Sequence, residues 1–108
     1  MPQRKSTKRI SSEAVQGEGS YVVLKKLTVG MWKELRTQAN SPDADSTTHM
    51  NIDLETIRDH VVEWNWVGDD GEPWPVPSQD ESVLETLTID EKSFLVGALF
   101  GSEEERKN

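Results

Sequence analysis

The sequence predicts an α+β fold. A small sheet with a Trp-rich β-hairpin packs on three to four helices, behind a disordered N-terminus. Three observations carry this. Tyr21-Val22-Val23-Leu24-Lys25-Lys26-Leu27 is a β-branched and aromatic run bounded by polar segments, as a strand is. Val62, Trp64 and Trp66 alternate with polar residues up to an Asp-Gly turn. Elsewhere, apolar residues recur at helical spacing.

In chain order, residues 1–19 hold Ser, Gly, Gln and charge without periodicity, and read as a basic disordered tail. The strand over 20–27 ends at Thr28, a good helix N-cap. Met31, Trp32, Leu35 and Ala39 then predict a helix over 29–39. Residues 40–48, with Pro42 and several Asp, Asn and Ser residues, read as a polar loop. Met50, Leu54, Ile57 and Val61 lie at i, i+4, i+7 and i+11, one face of a second helix started by Asn51 or Asp53. A strand over 62–67 follows and stops at Gly68-Asp69-Asp70-Gly71, a tight-turn signal. Beyond it, Glu72-Pro73-Trp74-Pro75-Val76-Pro77 suits an edge strand or extended arm, because proline donates no ladder hydrogen bond. Trp64 or Trp66 is expected to pack against Trp74 across the turn. Ser78 can open a short helix through Val83, Leu84 and Leu87. Thr88-Ile89-Asp90-Glu91 matches a capping box for a last helix, with Phe94, Leu95, Ala98 and Leu99 on its buried face and Gly101 as its C-terminal cap. Residues 102–108 read as a charged tail, so the expected domain spans 20–101.

Bulk properties narrow the function. The chain has 108 residues, 33% of them apolar and 30% charged, enough for one modest core. Four tryptophans offset the low aliphatic content, since each large aromatic buries about 150–250 Å². With no cysteine, disulfides, thiolate metal sites and a cysteine nucleophile are excluded. No signal peptide or membrane span is visible, so a soluble intracellular protein is expected. The net charge of −8 is uneven. Residues 1–36 carry eight basic and three acidic side chains, and residues 37–108 four basic and seventeen acidic ones. That acidic body would repel phosphate, which argues against nucleic-acid binding.

Searches for chemistry fail in turn. His49 and His60 form no HExxH motif and have no companions at metal-ligand spacing, and His60 reads as an exposed or half-buried helix residue. Aligning Gly71 with the invariant glycine of a calcium loop puts Trp66 at the first ligand position, so the match breaks. No phosphate loop or nucleophile elbow occurs. The reading is a non-enzyme without cofactor or metal that binds other proteins. Trp64, Trp66, Trp74 and Val76 are its candidate partner-binding residues, because aromatics are enriched at interface hot spots. Core packing of the hairpin is the competing role, and the two can divide the residues between them.

The stretch Val61-Val62-Glu63-Trp64-Asn65-Trp66-Val67-Gly68-Asp69-Asp70-Gly71-Glu72-Pro73-Trp74-Pro75-Val76-Pro77, an acidic spacer, and Leu84-Glu85-Thr86-Leu87-Thr88-Ile89-Asp90-Glu91 together resemble small tail assembly chaperones of long-tailed bacteriophages. The shared order is strand, W-x-W, D-D-G, P-x-P and an L-T-x-x-E helix. The resemblance implies a host-cytoplasmic chaperone, absent from the mature virion. Such a chaperone binds the long apolar tape measure protein and helps recruit tail tube protein. It also implies a longer form made by frameshifting near the chain's end. A homo-oligomer is left open. Two other classes fit the same numbers: a virion structural component such as a head–tail connector or tail protein, and an acidic regulatory or anti-host inhibitor.

Overall fold

The computed structural model describes residues 2–100. Eight elements follow in order: β1 (Thr7–Ser11), α1 (Glu13–Gln16), β2 (Tyr21–Lys25), α2 (Val29–Ala39), α3 (Ser46–His60), β3 (Val61–Trp64), α4 (Ser82–Thr86) and α5 (Ile89–Phe100). The strands form one antiparallel sheet in the order β1-β2-β3. The fold is α+β, with five helices among the described residues rather than three to four, two of them about a turn long. The expected cap at Gly101 and the tail 102–108 lie outside the described residues.

One face of the sheet makes the core. Val22 and Leu24 alternate inward on β2, as a two-residue period requires. They meet Val61, Trp64 and Trp66, Ile57 of α3, Val83 of α4, and Leu95 and Leu99 of α5. The opposite face is polar. There the Arg9 guanidinium stacks 4.0 Å from the Tyr21 ring centroid, and the Tyr21 hydroxyl donates to Glu63 at 2.6 Å. That hydrogen bond to a carboxylate raises the Tyr21 pKa above its ordinary value.

The expected disordered tail over 1–19 is corrected. Residues 2–6 have no regular structure, but residues 7–16 are strand and helix, so the folded unit begins well before residue 20. β1 pairs with β2 in unbroken register from Thr7↔Lys25 to Ser11↔Tyr21. Charged residues such as Lys8 and Arg9 suit an edge strand, where they discourage pairing with another chain. Its sequence lacks the apolar alternation that marks a half-buried strand, because only Ile10 packs against the core.

A further boundary moves. The loop expected over 40–48 is shorter, because α3 starts at Ser46. Its N-cap is Asp45, whose Oδ1 accepts from the Thr48 N–H at 2.8 Å and the Thr48 hydroxyl at 3.0 Å. Those donors hold the Asp45 carboxyl below the usual range. The buried face of α3 is Ile52, Thr56, Ile57 and His60, while Met50 is exposed. His60 is therefore buried rather than exposed or half-buried, with Nδ1 2.8 Å from the Thr56 carbonyl.

Where α3 runs into β3, the register against β2 shifts between Val23 and Leu24, so that Leu24 faces Val61 and Val23 faces Glu63. This bulge reverses the phase of the strand. Val61 points in and Val62 points out, against the expected alternation of Val62 with the tryptophans. The two parts that resemble a capping box behave as one: Glu91 N–H donates to Thr88 Oγ1 at 3.0 Å, and Thr88 N–H donates to Glu91 Oε1 at 2.9 Å.

Candidate functional site

The tryptophan hairpin was the first candidate surface, and the structure gives most of it to the core. Beyond β3 its ladder continues irregularly: the Trp74 N–H donates to the Trp66 carbonyl at 3.0 Å, and Val67 bridges Pro73. Gly71 turns the chain with φ of +80°, which favours glycine. Gly68 lets Trp74 approach, since a Cβ there would lie 2.7 Å from the indole nitrogen.

Trp64 and Trp66 lie two residues apart on one strand face, and their rings stack with centroids 4.6 Å apart and 7° between planes. Trp66 has no exposed surface and also meets Phe94 of α5 at 6.4 Å. Its indole N–H donates to Ser12 Oγ at 2.9 Å, Ser12 donates to Ser20 Oγ at 2.8 Å, and Ser20 donates to the Gly17 carbonyl at 2.8 Å. The N-terminal segment thus satisfies a buried indole that otherwise would have no partner. The Trp64 indole donates to the Trp74 carbonyl at 3.2 Å, and the two rings sit 6.4 Å apart. Trp74 and Val76 are half-buried and packed against the core. Trp64 and Trp66 therefore offer a partner almost nothing in this conformation.

Gln16 adds a second tie. Its side-chain amide exchanges hydrogen bonds with the backbone of Val67, at 3.0 and 3.3 Å, and also donates to buried Glu91. The hairpin, the N-terminal segment and α5 are thereby one unit.

Exposed large apolar side chains lie elsewhere, at Val29, Trp32, Met50, Val62 and Ile89. Val29 and Trp32, at the start of α2, are 73% and 42% exposed, and no residue of α2 is buried. Met31, Leu35 and Ala39 are half-buried, and a gap of about 160 Å³ separates Met31 and Leu35 from Ile52 and His60 of α3. Thr28 fixes where the helix starts, its Oγ1 accepting from the Met31 N–H at 3.1 Å. This brings Leu27, Val29 and Trp32 beside Leu99 and Phe100 at the end of α5, enclosing an open groove of about 300 Å³.

The groove's charge is unlike that of the protein. Lys8 and Lys26 border it, and an adjoining cleft that shares Trp32 adds Lys33 and Arg36. Among the described residues, neither lining contains an Asp or Glu. Arg36 lies over the Trp32 ring at 4.8 Å. Sequence reasoning placed Trp32 on a helical stripe with Met31 and Leu35. The exposure of Trp32 has no local signal, because it depends on what the rest of the fold leaves uncovered.

Among the described residues no cluster of three or more His, Asp or Glu could hold a metal ion, and no helix is long and apolar enough to cross a membrane. No family model, curated protein or solved structure matches the chain.

Proposed function

We propose that the protein is a phage tail assembly chaperone that holds the tape measure protein while tail-tube subunits are recruited. The observation that supports this reading best is the apolar groove beside α2. Val29 and Trp32 are exposed beside each other at this groove, whereas the other exposed large apolar residues, Met50, Val62 and Ile89, lie outside it. A holding protein needs accessible apolar surface without self-aggregation, and a net charge of −8 supplies mutual repulsion. The order of residues 61–91 that resembles the chaperone family supports the same reading. Trp64 and Trp66 are core residues in this reading rather than the contact itself.

Co-expression tests it. With the tape measure protein of the same phage, a chaperone keeps that protein soluble, co-purifies with it, and is missing from finished particles. A tape measure protein that aggregates equally with and without this chain would remove the reading. Finding the chain in purified virions would favour a connector or tail component instead.

A further inference from the structure

We infer that the groove beside α2 takes an acidic amphipathic segment of a partner protein, seating its apolar side chains on Trp32 and its carboxylates on the basic rim. The inference rests on the chaperone reading and deepens it by naming the chemistry the groove selects. It also reverses the simplest expectation from net charge, that an acidic protein recruits basic segments.

The argument is charge complementarity at one place. Lys26, Lys33 and Arg36, together with Lys8, border the groove and its adjoining cleft, and among the described residues no Asp or Glu lines either. The ion pairs found among the described residues are Arg58–Asp59, Arg58–Glu81 and Lys92–Asp53. Among the described residues these pairs involve neither Lys26, Lys33 nor Arg36, so these three hold a positive field at the groove that suits a carboxylate-bearing segment. The floor is apolar: Leu27, Val29, Trp32, Leu99 and Phe100. An apolar floor with a cationic rim matches a helix carrying Leu or Phe on one face and Asp or Glu beside it, the helix-in-groove mode of recognition. An exposed tryptophan with a neighbouring arginine is also the composition enriched at interface hot spots.

Nucleic acid carries the same charge sign but fits less well. A polyanion extends past the groove and meets the field of the acidic body, with a net charge of −8 for the chain. A short segment with a few carboxylates stays within about one Debye length of the rim, about 8 Å at physiological salt.

The test uses the full chain labelled with ¹⁵N, whose four tryptophan indole signals report separately. The probe is a synthetic amphipathic peptide of about four helical turns with Leu, Phe and Glu. Binding shifts the Trp32 indole and leaves Trp66 in place, and it weakens with added salt. The triple variant K26E/K33E/R36E weakens binding by about tenfold or more. A peptide with Lys in place of Glu binds the parent chain poorly and the variant better.

Four results would overturn the inference. The Lys peptide binding the parent chain as well as the Glu peptide is one. Tighter binding of duplex DNA than of the Glu peptide is another. A third is a Trp32 shift and stronger peptide binding when Glu103, Glu104 and Glu105 are all changed to Gln, which would make the chain's own C-terminus the occupant. The fourth is a concentration-dependent Trp32 shift without peptide, which would make it a second copy. The chaperone reading fails separately. A triple variant that still holds the tape measure protein leaves that reading standing and removes the groove from it.

Discussion

α2 and α5 are nearly equal in length, 11 and 12 residues, and each is opened by a threonine whose hydroxyl accepts from a backbone N–H three residues on. They are held very differently. α5 buries Glu91, Leu95 and Leu99 and rests on Trp66 through Phe94, whereas no residue of α2 is more than half-buried and a gap lies between it and α3. A capping signal therefore fixes where a helix begins but says nothing about how firmly it is docked. Firmness comes from the apolar face it can bury. The difference also separates two roles for tryptophan. Trp66 is a structural element with no exposed surface, and Trp32 is partly exposed to solvent.

The largest expected effect breaks that comparison most directly. Trp66→Ala removes a fully buried indole that touches Trp64, Phe94 and Ser12, and should destabilise by about 3–5 kcal/mol. For a domain of this size that is a large part of the total stability. Trp32→Ala should change stability by less than about 1 kcal/mol, because the ring is already partly in water. Urea denaturation of both variants reads the difference. Equal losses would mean that α2 is as integral as α5.

A smaller effect sharpens the boundary of the firm half. Ser12 is buried and is the acceptor for the Trp66 indole. Ser12→Ala should leave that N–H without a partner and cost about 1–3 kcal/mol. A residue in a loose tail would cost nothing when replaced. A neutral result would therefore return residues 7–16 to the tail that their composition suggests.

How much of this was legible follows from which signals are local. The span 29–39 of α2, its Thr28 cap, the Thr88–Glu91 box and the turn at Gly71 depend on near neighbours, and the sequence shows them. β1 was not legible, because an edge strand with charged residues and one packed apolar side chain looks like disorder until its partner β2 is known. The sequence places the start of α3 at Asn51 or Asp53, because 40–48 is polar enough to read as a loop, but the helix begins about two turns earlier on the Asp45 cap. Val62 was misdirected by a bulge that has no local signature. The candidate site failed for a related reason. Aromatic density near residues 64–74 marks where apolar area is concentrated, and concentrated area tends to be buried. The exposed area at Val29 and Trp32 arises from what fails to cover α2, which depends on the whole fold.

The smallest expected effect tests the comparison within helices rather than between tryptophans. Thr28→Ala and Thr88→Ala delete equivalent capping hydroxyls, and a lost cap costs about 1 kcal/mol where the helix is coupled to the fold. Thr88→Ala should lower global stability by about that amount, because the α5 face is part of the core and its box also holds Glu91, which receives Gln16. Thr28→Ala should speed amide exchange in α2 while leaving the slowest core amides of β2 and α5 unchanged, since a helix that buries no residue can open by itself. Hydrogen exchange resolved by residue separates the two. If Thr28→Ala accelerates exchange in β2 and α5 as well, α2 opens only with the rest of the domain. The groove would then be a rigid feature of the fold rather than a surface on a loosely docked helix.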